Sequence, residues 1–306
     1  DASSYGIINP NGADGNICQI AGSQKTDFKA YVFYSSLFQL TDLYEFNSHT
    51  FTSCGITGRN GPSLANCTSA YSSTSWASNT DYFNMTTQGI QEWTVPKSGT
   101  YRIKAYGASS DNRSHPELTG RGGIIEADFV LDKGEVIKIL CGQRPSPREQ
   151  NGQGAGAGGT FVVRSPYTNT SAVLIVAGGG GGGCNNPVTD TTPNGTQAQQ
   201  HGGMTGNNGH GGTGDTTTPA LYSGGVDGNA GTPSSLHSTA TGSGGAGFKQ
   251  DGGACGATGE IGSQTSKSFL NGGNGGSFSW ADGRVYQSGF GGGGSPTRDG
   301  RGSGGG

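Results

Sequence analysis

Two strand-length runs around a turn decide the fold class: Ile124-Ile125-Glu126-Ala127-Asp128-Phe129-Val130-Leu131, then Asp132-Lys133-Gly134, then Glu135-Val136-Ile137-Lys138-Ile139-Leu140-Cys141. Side chains alternate between the two faces of a strand, so Ile125, Ala127, Phe129 and Leu131 share one face. Asp132-Lys133-Gly134 is turn chemistry. Working outward, Tyr101, Ile103 and Ala105 alternate within Tyr101–Ala105, and Pro96-Lys97-Ser98-Gly99 separates that run from Gln91–Val95. Downstream, Thr160–Val163 and Ala172–Ala177 are also strand-sized. Short strands joined by polar turns predict an all-β protein, a sandwich or jelly roll.

Composition agrees. Of 306 residues 62 are Gly, 13% are charged and 30% are hydrophobic. Gly in a helix interior costs about 1 kcal/mol relative to Ala, which argues against a helical protein. No run approaches the ~20 apolar residues of a membrane helix, so no membrane insertion is expected. The net charge of −3 lacks the basic footprint of a nucleic-acid binder.

The glycines are unevenly placed: 15 fall in residues 1–150 and 47 in residues 151–306. Several recur every third residue, as at Gly203, Gly206, Gly209 and Gly212, at Gly225, Gly228 and Gly231, and at Gly253, Gly256, Gly259 and Gly262. Three residues per turn is the repeat of polyproline II, and Gly along one edge lets such helices approach and pair. A bundle of polyproline-II-type helices is therefore expected. Thr160–Val163, Ala172–Ala177, Phe278-Ser279-Trp280 and Val285-Tyr286 argue against a disordered linker.

Residues 1–27 are polar and without period, whereas residues 28–46 carry Phe28, Tyr31, Phe33, Tyr34, Phe38, Tyr44 and Phe46. Such a segment is either a strand of its own domain or one that adds to the sheet of a neighbouring copy. In the second case Phe28, Tyr31, Phe33, Tyr34 and Phe38 anchor an inter-subunit contact.

Six cysteines, Cys18, Cys54, Cys67, Cys141, Cys184 and Cys255, include no C-x-x-C pair. An even count suits a disulfide framework in an oxidising compartment, with 15 possible pairings. Cys54–Cys67 closes a short loop, Cys184–Cys255 would staple the Gly-rich half, and Cys18–Cys141 remains, with a buried free thiol as the alternative for Cys141. Sequons at Asn66, Asn84, Asn112, Asn169 and Asn194 are candidate N-glycan acceptors of a secreted protein. Asp1-Ala2-Ser3-Ser4 reads as a terminus left by leader removal.

Catalytic patterns are weak. Gly154, Gly156 and Gly159 match a G-x-G-x-x-G pattern, but a strand, Thr160–Val163, follows where a helix is needed. His49, His115, His201, His210 and His237 are scattered, and Asp227 and Asp251 beside Gly read as turn residues. Trp76, Trp93 and Trp280 read as core aromatics. No catalytic residue, metal or cofactor is expected.

A resemblance extends this reading. Thr50-Phe51-Thr52-Ser53-Cys54-Gly55, Thr57-Gly58, Gly61-Pro62, Cys67 and Ala70-Tyr71 resemble the extracellular region of the anaplastic lymphoma kinase and leukocyte tyrosine kinase family. The likeness continues through Gly89-Ile90-Gln91, Trp93, Gly99-Thr100-Tyr101, Tyr106-Gly107-Ala108, Gly158-Gly159-Thr160-Phe161 and Leu174–Gly180. Cys141 stands where that family has an aliphatic residue. The resemblance covers residues 48–306. It implies a tumour-necrosis-factor-like jelly roll with a glycine-rich array of polyproline-II-type helices, and it also implies the Cys54–Cys67 bridge. No kinase accompanies it, so receptor function is not carried over.

The expected organisation is an extension over residues 1–47, a sandwich over 48–177 and a Gly-rich region over 178–306. The expected role is that of a non-enzymatic, secreted structural glycoprotein. Copies would join head-to-tail through the N-terminal segment into a homopolymeric fibre. The alternative is a receptor-type or adhesin-type binding module.

Overall fold

The computed structural model describes residues 42–110, 120–146, 155–182, 225, 227–231, 244–253, 262–279, 285–295 and 306. From Tyr44 onward these residues belong to one compact unit. Its one described α-helix is α1 (Leu64–Ala70). Ser63 starts it: the Ser63 hydroxyl accepts from the Asn66 N–H, and Asn66 Oδ1 accepts from the Ser63 N–H. This reciprocal cap satisfies two donors that a helix start leaves open. The helix buries Cys67, which is bridged to Cys54 across a Cα–Cα distance of 5.0 Å.

Five strands make one antiparallel sheet in the order β1 (Phe83–Thr87), β2 (Ile90–Thr94), β5 (Val136–Leu140), β6 (Thr160–Val163) and β7 (Val173–Ala177). Between β2 and β5 the chain leaves the sheet to form a hairpin-like pair, β3 (Gly99–Tyr106) and β4 (Ile124–Leu131), and then returns beside β2. A smaller antiparallel sheet, in the order β10-β9-β8, comes from β8 (Gly262–Gln264), β9 (Ser277–Ser279) and β10 (Val285–Gln287). The molecule is all-β, as expected.

Strand register assigns the two faces of the five-stranded sheet. Gln91, Trp93, Ile137, Ile139, Val162 and Ile175 share the inner face. The apolar ones pack with Tyr101, Ile103, Ile125, Ala127 and Phe129 of the β3–β4 pair. An aromatic layer extends this core, in which Tyr44 stacks on Trp76 and Phe46 packs against Trp93 and Tyr101. Tyr44 and Phe46 thus belong to this domain's own core. Ile90, Leu140, Phe161 and Val163 line the outer face, where Phe248, Phe269 and Phe290 of the Gly-rich half cover them. The result is three layers, with the five-stranded sheet in the middle.

The Gly-rich half also packs by backbone. Ala155–Gly159 runs beside several extended segments. The Ala157 N–H donates to Gly180 O (2.9 Å), the Gly159 N–H to Gly291 O (2.9 Å), and Gly158 O accepts from the Ala108 N–H (3.0 Å). Ala157 O accepts from the Gly306 N–H (2.9 Å) and Gly156 O from the Gly289 N–H (2.9 Å). Such lateral pairing of main chains needs bare backbones. A Cβ on Gly158 would lie closer than 3.0 Å to the Phe290 carbonyl oxygen, and one on Gly122 would strike the Gly107 carbonyl in the same way. The glycines of the G-x-G-x-x-G pattern that are described, Gly156 and Gly159, are used here for packing. Of the period-three runs, only Gly225, Gly228 and Gly231 are described in full.

Candidate interaction surface

The β3–β4 pair presents the most distinctive surface. Period-2 alternation turns Tyr101, Ile103 and Ala105 inward with Ile125, Ala127, Phe129 and Leu131. Thr100, Arg102, Lys104 and Tyr106 of β3 then point outward, opposite Val130, Asp128, Glu126 and Ile124 of β4 respectively. Solvated sheet faces carry polar residues at such positions. Here three of the eight are large and apolar: Tyr106, Ile124 and Val130 are 55%, 57% and 68% exposed.

Between these apolar ends lies a charge ladder. Arg102 grips Asp128 with both Nε (2.8 Å) and Nη2 (2.9 Å), and its Nε lies 3.7 Å from Glu126. Lys104 lies 3.7 Å from Glu126 and 5.5 Å from the centre of the Tyr106 ring. The Arg102 hydrogen bond holds the Asp128 carboxyl below its usual range, and Asp128 raises the guanidinium in return. Tyr106 first and Glu126 second keep the Lys104 ammonium above its ordinary value. Arg102, Lys104 and Asp128 thus stay charged near neutral pH. The face carries a positive column on β3, a negative column on β4 and apolar side chains at both ends.

The residues expected from sequence to matter fall in several places. Cys54 and Cys67 are bridged. Cys141, expected either to pair with Cys18 or to be a buried free thiol, is a free thiol in the core. Its hydrogen-bond partner is Gln91, wholly buried, whose Nε2 donates to Thr52 O (2.9 Å) and to Cys141 Sγ (3.6 Å), while Tyr71 Oη donates to its Oε1 (2.8 Å). Burial pushes the thiol up to about 12, so it is protonated and unreactive at neutral pH. Cys18, Cys184 and Cys255 lie outside the described residues, as do Phe28, Tyr31, Phe33, Tyr34 and Phe38.

Three of the five sequons are described. Asn66 is exposed in the first turn of α1, and Asn169 is exposed where its Oδ1 accepts from the Ala172 N–H (3.0 Å). Asn84 is half-buried within β1, with its Oδ1 accepting from the Met85 N–H (2.8 Å). Asn112 and Asn194 lie outside the described residues.

Among the described residues, no three His, Cys, Asp or Glu side chains are grouped to hold a metal, and no helix is long and apolar enough to cross a membrane. His49 sits in the aromatic layer, edge-on to Phe51, Tyr71 and Trp76, and burial lowers its pKa. That position favours a packed, neutral imidazole over a metal ligand.

Sequence reasoning passed over Tyr106, Ile124 and Val130. Their signal was present: the alternation that makes Ile125 to Leu131 a core face puts Ile124 and Val130 on the opposite, polar one.

No family model matches the chain. Among characterised proteins, it is similar to the leukocyte tyrosine kinase receptor of Mus musculus. The two are 37% identical over 95 residues, which is 31% of this chain and 11% of the receptor. The chain thus spans about a tenth of that receptor's length. The similarity supports a relation to the leukocyte tyrosine kinase and anaplastic lymphoma kinase receptors.

Proposed function

We propose that the chain is a non-catalytic extracellular subunit that assembles with copies of itself. The observation that carries the reading is the β3–β4 pair, an eight-residue ladder whose outward face bears Tyr106, Ile124 and Val130 in contact with solvent. Exposed apolar patches rimmed by polar residues mark interaction sites. In this reading the residues preceding Tyr44 form the axial joint: Phe28, Tyr31, Phe33, Tyr34 and Phe38 anchor a strand in the next copy, and repetition gives a fibre. The Cys54–Cys67 bridge fits an oxidising compartment. Glycans at Asn66, Asn84, Asn112, Asn169 and Asn194 belong to the same proposal, as do a tumour-necrosis-factor-like sandwich and polyproline II geometry for the Gly-rich segments.

A second reading, a receptor-type or adhesin-type binding module, is favoured by the similarity to a receptor tyrosine kinase. Electron microscopy and light scattering separate the two, using the full chain and a chain lacking residues 1–41. Filaments from the full chain that vanish on deletion support the fibre. Filaments that persist overturn the N-terminal joint. A monodisperse full-length monomer moves the conclusion to the binding module.

A further inference from the structure

We infer that the outward face of β3–β4 is a lateral contact between two copies of this chain, related by a two-fold axis running along the strands. The inference rests on the self-assembly reading and adds a second, separable contact to it.

The argument starts from the register. Four outward rows pair Thr100 with Val130, Arg102 with Asp128, Lys104 with Glu126, and Tyr106 with Ile124. Two identical sheets can meet face to face about an in-plane two-fold axis in two ways. With the axis across the strands, row order reverses and each strand faces its own copy. Arg102 then opposes Lys104 of the second copy, and Asp128 opposes Glu126: like charge meets like throughout, which specific interfaces avoid. With the axis along the strands, row order is kept and the columns exchange. Arg102 then opposes Asp128 of the other copy, Lys104 opposes Glu126, Tyr106 packs on Ile124, and Val130 covers Thr100, each contact occurring twice. Only this arrangement is complementary, and it is isologous, as a closed pair requires. Two sheets stack about 10 Å apart with their strands rotated by roughly 30°, which displaces the two inner, charged rows by only about 2 Å and the outer rows by about one strand spacing, within reach of aromatic and long side chains.

Area sets the strength. Two strands of eight residues present roughly 300 Å² per copy, from a rise of about 3.4 Å and a strand spacing of about 4.8 Å. A stable standard interface buries about 800 Å² per partner. The contact is therefore weak between free copies and becomes effective where another contact already holds copies together, through high local concentration. The charges select the partner more than they bind it.

The test uses the full chain, alone and in mixtures, with sedimentation velocity and energy transfer between two labelled populations. One variant is Ile124→Lys with Val130→Lys. Both positions are exposed, so the fold is kept, as near-ultraviolet circular dichroism verifies. A second variant carries Arg102→Asp, Lys104→Glu, Glu126→Lys and Asp128→Arg. It exchanges the columns while preserving each ion pair within the chain with its sign reversed. The expected result is that the double-lysine variant weakens lateral pairing by at least about tenfold, as the loss of two apolar anchors implies. The exchanged chain pairs with itself as the natural chain does, yet mixed pairs become several-fold rarer than like pairs. Mixed pairs as frequent as like pairs overturn the inference, and so do unchanged association of the double-lysine variant or a natural chain that stays monomeric at millimolar concentration. Deleting residues 1–41 tests the axial joint separately. Filaments lost with lateral pairs retained means that the two contacts are independent. Filaments kept while both face variants behave as the natural chain means that only the lateral contact fails.

Discussion

Leu140 and Gly158 are both central, and they hold the molecule in opposite ways. Leu140 is fully buried and works by what it carries, a side chain packed with Phe161, Phe269 and Phe290 on the outer face of the five-stranded sheet. Gly158 works by what it lacks. Its own carbonyl accepts from the Ala108 N–H, and the space a Cβ would need is taken by the Phe290 carbonyl. Both regions obey the same demand, that buried N–H and C=O groups find partners. The sandwich meets it with ladders and fills the gaps between layers with side chains. The Gly-rich half meets it by drawing main chains together until no side chain fits between them. A sequence poor in apolar residues can therefore still be ordered, provided that its glycines fall where backbones meet.

The largest effect that would break this comparison is expected from Gly158→Ala. The added methyl meets backbone on a rigid neighbour and has no flexible side chain to displace. Overpacking a well-filled site ordinarily costs about 1–3 kcal/mol. Here the hydrogen bonds of Ala108 and Gly159 are strained as well, so the expected loss is about 4 kcal/mol or more, read as failure to express folded or a collapse of the denaturation midpoint. An unchanged midpoint would mean that the array is looser than its hydrogen bonds imply.

Leu140→Ala comes next, with an expected loss of about 2–5 kcal/mol for a buried Leu whose cavity does not collapse. Because Leu140 joins the middle sheet to Phe269 and Phe290, its removal tests whether the two regions melt together. One cooperative transition at a lower temperature means a single folding unit. Two transitions, with tryptophan fluorescence of Trp76 and Trp93 surviving the first, would mean that the Gly-rich half unfolds independently.

How far the sequence could be read follows the same divide. Ile124–Leu131 and Thr160–Val163 coincide with β4 and β6, because alternation and turn chemistry are local and side-chain-borne. β1 went unseen: Phe83-Asn84-Met85-Thr86-Thr87 has no clean alternation, and its pairing with β2 shifts register between Asn84 and Thr87. α1 went unseen because seven residues give no helical period, and its cap uses Asn66 where Glu or Gln is the usual signal. The partners in the Gly-rich half were not legible at all. Nothing in the composition of Ala155–Gly159 says that it will meet Gly180, Gly291 and Gly306, since glycines carry no pattern to match. On the candidate surface, the outward positions were legible from alternation. Their exposure was not, because it depends on what the fold leaves uncovered.

Asp251 offers a smaller, pH-dependent handle on the Gly-rich half alone. Its carboxylate accepts from Lys267 Nζ (2.8 Å), the Ser268 N–H (2.9 Å) and Asn271 Nδ2 (2.8 Å), tying residues 247–252 to the turn at 267–271. Burial opposes ionisation, yet these donors outweigh it and bring the pKa down to about 2. A folded-state pKa below the unfolded one gives stability that is complete above about pH 4 and lost as the pH falls towards 2. The partial exposure of the pair screens it, so the expected contribution is about 1 kcal/mol. Asp251→Asn should flatten that acid limb while leaving stability at neutral pH only slightly lower. An acid limb identical in both proteins would mean that the tie carries no net energy.

Gly99→Ala is expected to do least, and for that reason it sharpens the comparison most. Gly99 opens β3, its backbone is outside the left-handed region, and a Cβ there meets nothing within 4 Å. The substitution removes conformational freedom from the unfolded chain at no steric cost, which ordinarily stabilises by about 0.4–1 kcal/mol. Loss of some solvation at the strand end offsets part of this, so the net effect is expected within about 0.5 kcal/mol of zero, with stabilisation the favoured sign. Measured beside Gly158→Ala, it makes one chemical change, hydrogen to methyl, at an exposed site with open space around it and at a buried site where another main chain occupies that space. If both variants lost several kcal/mol, the cost would lie in glycine's general backbone freedom, and the close approach of main chains would not explain the Gly-rich half. If only Gly158→Ala is lost, the array is held by backbone contact, and its order is written in where side chains are missing.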